Sequence, residues 1–168
     1  MIENILKLLD KWHSKKKLVA QKKKTIYIKE RDIVFINMGQ NIGVEQDGKG
    51  KDFLRPVIVY KKFNNSMFLG IPLTSTQKES KFYYSFSFKS KTDGIRKSSA
   101  ILSQIKAFDT KRIKFKLGVV GKDDFNELHS KLLACIKPKE VVTPHKSEES
   151  PEGICKTIIA QSTKEVKS

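Results

Sequence analysis

The sequence predicts a mainly β domain with a few helices, its short strands closing as a small barrel or sandwich. Two observations point there. Five short apolar runs, rich in β-branched and aromatic residues, succeed one another between residues 32 and 106, separated by polar or glycine-bearing turns. A 3.6-residue apolar period occurs outside that stretch, before it in residues 1–20 and after it in residues 121–136.

In order along the chain, residues 1–20 read as a basic amphipathic helix, with Ile5, Leu8, Leu9 and Trp12 on one stripe and Lys11, Lys15, Lys16 and Lys17 around it. A stripe this short packs on its own domain or on a partner. The polar run Gln21–Lys24 reads as a hinge. Strands are expected at Asp32–Met38, Leu54–Tyr60, Ser66–Leu73, Phe82–Phe88 and Ser99–Lys106. Asn41–Asp52, with three glycines, is a long polar loop, and Lys61–Asn65 a hairpin-like connection. Gly121–Ile136 closes the domain as a helix. Phe125, Leu128, Leu132 and Cys135 or Ile136 form its apolar face, and Asp123 and Asp124 sit where the helix dipole favours them. Residues 138–168 hold Pro138, Pro144 and Pro151 among Ser, Thr, Lys and Glu and few large apolar groups, the composition of a disordered tail. The organisation expected is therefore helix and hinge at 1–24, a β domain at 25–137 and a tail at 138–168.

The length, 168 residues, suits one domain with a real core, and the net charge is +16. Residues 1–24 carry eight Lys against two acidic residues, and residues 138–168 five Lys against five Glu, so +10 falls on the stretch between. A basic core suggests a polyanionic partner, nucleic acid being the commonest. Lys-rich composition by itself is the competing explanation. Cys135 and Cys155 match no metal or redox spacing, which favours a reducing compartment. No apolar run is long enough to cross a membrane and no secretory signal is present, so cytoplasmic residence is expected.

Four short pieces carry the chemistry. Pro56 forces Arg55 toward an extended backbone, so this guanidinium stands at a defined place at a strand start. Its planar donors and permanent charge suit phosphate. Taken alone, Arg-Pro more often marks a surface arginine beside an edge-strand proline. Thr74 and Ser75 end an apolar strand after Pro72-Leu73. Hydroxyls there cap turns, and near an arginine they can also donate to a phosphoryl oxygen. Glu45, in the glycine-bearing loop, is a solvated carboxylate unless a site recruits it to take a proton from a ribose 2′-hydroxyl. The fourth piece is Leu102-Ser103-Gln104-Ile105-Lys106, followed by Asp109, Lys111 and Arg112. His13, His129 and His145 lie outside all four, which argues against a ribonuclease built on paired histidines.

In this order, Gly43-Val44-Glu45-Gln46, Arg55-Pro56-Val57-Ile58-Val59, Pro72-Leu73-Thr74-Ser75 and Leu102–Lys106 resemble the MazF/PemK family of toxins from type II toxin–antitoxin systems. The resemblance spans roughly Glu30 to Ile136. The leading helix with Trp12 looks like that of PemK-like members with an N-terminal extension. The resemblance implies a small, strongly curved β-barrel of the MazF/CcdB-like plasmid-maintenance toxin fold, with a helix at each end. It implies a homodimeric endoribonuclease that cuts single-stranded RNA without metal or cofactor, the 2′-hydroxyl attacking the adjacent phosphate to leave a cyclic phosphate and a 5′-hydroxyl. An acidic antitoxin would neutralise it, and operator DNA would be met only through the antitoxin complex; no membrane is involved.

Carried over by position, Arg55, Thr74, Glu45 and Ser75 are the catalytic residues implied, and Gln46, Lys49, Lys51, Gln104 and Lys106 the RNA-binding ones. Two departures stand out. Ile101 and Ser103 occupy positions where some relatives place an arginine and an acid, and the loop from Gln46 to Arg55 is longer than in compact members. The competing readings are a non-catalytic nucleic-acid-binding barrel, to which the missing acid points, and, more remotely, a gyrase-poisoning toxin of the same fold.

Overall fold

The computed structural model of the chain describes residues 2–23 and 25–138. The expected tail from 139 onward, with His145 and Cys155, and Lys24 of the expected hinge lie outside the described residues. Among the described residues a helix α1 (Ile2–Ala20) leads into seven strands: β1 (Asp32–Asn37), β2 (Leu54–Lys62), β3 (Met67–Thr74), β4 (Tyr83–Ser90), β5 (Gly94–Ile101), β6 (Lys106–Asp109) and β7 (Ile113–Val119). A second helix, α2 (Lys122–Ile136), follows.

Every strand pairing is antiparallel, and the pairings close on themselves. β1 pairs β2 and β7, β2 pairs β3, β3 pairs β5, β5 pairs β4, and β4 meets β7 at Ser90 and Gly118. The result is a strongly curved sheet ring with β6 added along β3. Closing so few strands needs sharp bending, which bulges supply. The β1–β7 ladder shifts register twice and the β2–β3 ladder once. At the closure, a Cβ on Gly118 would lie 2.7 Å from the Lys89 carbonyl oxygen, so only glycine lets β7 approach β4 this closely.

Both faces of β1 to β3 are covered, which is why these strands read as unbroken apolar runs rather than alternating ones. Ile33, Ile58, Ile71 and Leu73 join Tyr84, Phe86, Leu117 and the α2 residues Leu128 and Leu132 in one core. Val34, Ile36, Val57, Val59 and Phe68 face the other way and pack with Ile28, Phe108 and Ile113. α2 buries the expected face at Leu128 and Leu132, with Phe125 and Cys135 packed against the core and Ile136 exposed. Tyr84, on β4, ties α2 down by donating to Asp124 Oδ1 at 3.0 Å, with Glu127 Oε2 at 3.2 Å. Burial and these two carboxylates raise the Tyr84 phenol above its ordinary range.

The strand expected at Ser99–Lys106 is corrected by the structure. β5 starts at Gly94, pairs with β4 across the Asp93-Gly94 turn, and ends at Ile101. Leu102–Gln104 is a single 3-10 turn, and β6 begins at Lys106. Both pieces lie on the same edge of β3, through Thr74–Ser99 and Leu73–Ala100 first, then Gly70–Lys106 to Met67–Asp109. One strand's worth of pairing is thus delivered by two strands with a turn between. β7, beyond the five expected strands, carries the alternation Ile113-Lys114-Phe115-Lys116-Leu117.

α1 packs on the strand ring through its second half. Trp12 and Val19 are buried, whereas Ile5, Leu8 and Leu9 of the expected stripe are exposed. The Trp12 ring lies 5.5 Å from that of Phe53 and beneath the Arg112 guanidinium at 5.7 Å. It also lies against Gly39, where a Cβ would come within 2.5 Å of Trp12 Cε2. Gly39 has φ of 103°, so a side chain there is excluded by backbone as well as by the indole. Lys15 and Lys114 both pair with Asp52, and Lys22 donates to the carbonyls of Lys111 and Ile113. The Lys15 hydrogen bond holds the Asp52 carboxyl below its usual range, with Lys114 acting in the same direction.

Candidate active site

The site forms where β3 leaves β2. The β2–β3 ladder runs to Val57 and Pro72, and Pro72 has no N–H with which to extend it. From Leu73 onward β3 pairs with β5 instead. Arg55, two residues before Val57, therefore faces a gap rather than a neighbouring strand. Its side chain spans that gap, Nη1 donating to the freed Leu73 carbonyl at 3.0 Å. On the other side Nε donates to the Asp47 carbonyl at 2.5 Å. Two of the five N–H groups are engaged in this way; the others have no hydrogen-bond partner among the described residues.

Asp47 is the knot of the preceding loop. Its carboxylate accepts from Gln40 Nε2 at 2.8 Å and from the Asn41 amide at 2.6 Å, while its carbonyl holds Arg55. Lys49 and Leu54 then pair across the loop, so β2 begins from a closed base. The Asn41–Asp52 segment is thus a folded platform rather than the free polar loop its composition suggests.

A cavity of about 410 Å³ opens at the gap. Arg55, Thr74 and Ser75 all line it, with Lys49, Arg96, Lys97 and Ser98. Phe35, Leu54, Pro56, Leu73, Phe88 and Leu117 supply its apolar wall. Four cations and no carboxylate or histidine line this space, which makes it a place for an anion. Arg55 is buried at 8 % exposure. Burial lowers its pKa from the ordinary value, and the Asp47 charge partly offsets this. A desolvated guanidinium attracts a phosphate more strongly than a hydrated one, because less water screens the pair. Thr74 Oγ1 accepts from the Thr76 amide at 3.3 Å, so it caps the turn as its position suggested, and its hydroxyl proton remains available to donate.

The other sequence-predicted residues stand outside the cavity lining. Glu45 is exposed on the loop, its amide bonded to the Ile42 carbonyl. The Gln46 carbonyl accepts from Asn41 Nδ2, and Lys51 is exposed at the loop tip. Gln104 Nε2 donates to the Val44 carbonyl at 3.3 Å, which docks the 3-10 turn onto the Glu45 loop. Lys106 lies over the Phe108 ring at 5.7 Å. Ile101 is buried at 3 % exposure and Ser103 is exposed, and neither lines the cavity. His13 and His129 are exposed, the latter bonded to the Tyr60 hydroxyl. Among the described residues no three His, Cys, Asp or Glu side chains gather as a metal site requires.

Sequence reasoning missed Arg96, Lys97, Ser98 and Asp47. The first three were signalled by a basic pair just after an Asp-Gly turn, once that turn is read as a hairpin. Asp47 acts on Arg55 through its backbone carbonyl, which no residue pattern announces.

A family model described as PemK-like, MazF-like toxin of type II toxin–antitoxin systems matches residues 29–136, well over half the chain and beginning after α1. Among solved structures, the chain is similar to an endoribonuclease in complex with its cognate antitoxin from a mycobacterial species, with TM-score 0.50 and 11 % identity, over 68 % of this chain and 100 % of that one. It is also similar to MazF from Deinococcus radiodurans, with TM-score 0.50 and 19 % identity, over 66 % of this chain and 97 % of that one. At such identities the likeness establishes the fold. No protein of curated function matches the chain in sequence.

Proposed function

Because the chain belongs to the PemK-like, MazF-like toxins of type II toxin–antitoxin systems, we propose that it is an endoribonuclease that cleaves single-stranded messenger RNA at short sequences and is neutralised by a cognate antitoxin. The observation that carries this reading is the convergence of Arg55, Thr74 and Ser75 on one cation-lined cavity free of carboxylates. The solved relative bound to its antitoxin supports the partner.

In this reading the scissile phosphate sits against Arg55. The ribose 2′-hydroxyl attacks the adjacent phosphorus, the bond to the 5′-oxygen breaks, and a cyclic phosphate and a 5′-hydroxyl result. Arg55 stabilises the extra negative charge of the pentavalent phosphorane, and its fixed anchors mean that it need not reorganise to do so. Thr74 and Ser75 donate to phosphoryl oxygens and hold the phosphate in line. Glu45 takes the 2′-hydroxyl proton, and water supplies one to the departing oxygen. Lys49, Lys51 and Lys106 hold backbone phosphates, and Gln46 and Gln104 pair with unstacked base edges. The toxin works as a cytoplasmic homodimer, and an acidic antitoxin covers the basic groove. It meets operator DNA only within the antitoxin complex. Among the described residues no helix is long and apolar enough to cross a membrane.

End-group analysis of RNA cut by the purified protein in excess EDTA tests the reaction. Fragments with 2′,3′-cyclic phosphate and 5′-hydroxyl ends are expected, and 5′-phosphate ends or a metal requirement would refute it. A second reading, a barrel that binds RNA without cutting it, is favoured by one observation: Glu45 is not among the cavity-lining residues. That reading expects salt-sensitive binding and intact RNA.

The cavity cations give a separate expectation. Replacing Arg96 and Lys97 together by alanine should weaken RNA binding and flatten its salt dependence, the slope of log K against log salt falling by roughly 0.7 per lost phosphate contact. Titrations at several salt concentrations read this directly, and an unchanged slope would remove both residues from the RNA path.

A further inference from the structure

One exposed aromatic ring, in contact with a residue of the cavity lining, has no role in the chemistry above. The β1–β7 register sets Phe115 opposite Phe35. The two rings lie 5.0 Å apart, inclined by 40°. Phe35 lines the cavity, and so does Leu117 two residues further along β7. Phe35 is half-buried, whereas Phe115 is 41 % exposed. A partly solvated ring is therefore braced by a second ring, and that second ring lines a space together with Lys49, Arg55, Arg96 and Lys97.

We propose that Phe115, braced by Phe35, is the platform on which an unpaired nucleobase stacks when its phosphate enters the cavity; this rests on the reading of the cavity as an RNA site. A single strand alternates phosphate and base, so cations beside an exposed aromatic face hold both halves of one nucleotide. Stacking needs only the π face of the base, so this contact strengthens binding without choosing a sequence. Selection falls to groups that reach base edges. Phe35 is a positioning residue in this scheme, since it fixes the angle at which Phe115 meets the base. Ring pairs of this geometry add to their area burial through their quadrupoles, which holds the brace in place.

The test uses the full-length protein and a short RNA carrying one mapped cut site. Matched RNAs replace the nucleotide on either side of the cut, one at a time, by an abasic ribose. Single-turnover cleavage is compared for wild type and Phe115→Leu, which keeps the apolar bulk and loses the ring. One abasic substitution is expected to slow the wild type about tenfold, the scale of a lost base–aromatic stack. Phe115→Leu should be slowed by a similar factor on intact RNA and by no further factor on that abasic RNA. Equal slowing of the variant on intact and abasic RNA would overturn the platform and leave a structural or subunit-contact role for the ring, as would an unslowed variant. A wild type that neither cuts nor binds any of the RNAs would instead overturn the RNA reading, and the platform with it. Thermal melting and oligomeric state of Phe115→Leu, both expected unchanged, confirm that the variant is folded.

Discussion

Arg55→Lys is expected to lower RNA cleavage by about a thousandfold, the upper range for losing one preorganised charged donor at a developing negative charge. The conservative replacement keeps the positive charge, so the expectation rests on geometry. Arg55 reaches the cavity while its Nε and Nη1 stay fixed to the Asp47 and Leu73 carbonyls. A planar fork can anchor with two donors and present the rest to a phosphate; an ammonium on a flexible stem cannot do both. The variant also leaves backbone carbonyls short of a partner at a buried site, which costs about 1–3 kcal/mol of stability. Rates are therefore to be measured well below the melting temperature of the variant. A folded Arg55→Lys protein that cleaves at the wild-type rate would remove the guanidinium from the mechanism.

Trp12→Ala is expected to destabilise the fold by about 3 kcal/mol, the lower range for truncating a buried aromatic. Trp12 fills the space between Phe53, Gly39 and the Arg112 guanidinium, and no other aromatic of α1 can replace it. In a domain of this size the loss corresponds to a fall in melting temperature of roughly 10 °C. The indole rests on Phe53 beside Asp52, in the loop that leads into Arg55, so activity should fall as well as stability. Trp12 is the only tryptophan in the chain, which makes its emission a direct report of docking. Gly39→Ala leaves the indole in place chemically but pushes it from its seat, and should shift emission to the red. Unchanged emission and melting in Gly39→Ala would show that α1 is not seated there.

Much of this architecture was legible in the sequence, for identifiable reasons. The strands at 32–37, 54–62 and 67–74 stood out because both their faces are buried, leaving unbroken β-branched runs. Arg55 and Thr74 stood out because a proline follows one and an apolar strand ends at the other. β5 and β6 were misdrawn because a 3-10 turn of three residues interrupts pairing to a single strand edge, and periodicity cannot see an edge. Arg96 and Lys97 fell outside the expected strand at its other end, where the Asp93-Gly94 turn joins β4 to β5 as a hairpin. Closure of the ring depends on one pairing between Ser90 and Gly118, a contact that no local pattern encodes. The amphipathic stripe of α1 reads as a helix that packs on its own domain or on a partner, but the stripe does not tell which of its residues are covered. Trp12 is covered, while Ile5, Leu8 and Leu9 stay exposed, because the strand ring meets only the second half of the helix.

That Arg55 and Thr74 act on one phosphate is most directly tested by a double-mutant cycle. Single-turnover cleavage of one mapped site would be measured for wild type, Arg55→Lys, Thr74→Val and the double variant. Residues that serve one reacting group lose their effect together, so the double variant should be scarcely slower than Arg55→Lys alone. Losses that multiply as independent factors would contradict the account and place the threonine hydroxyl away from the phosphate that the arginine holds.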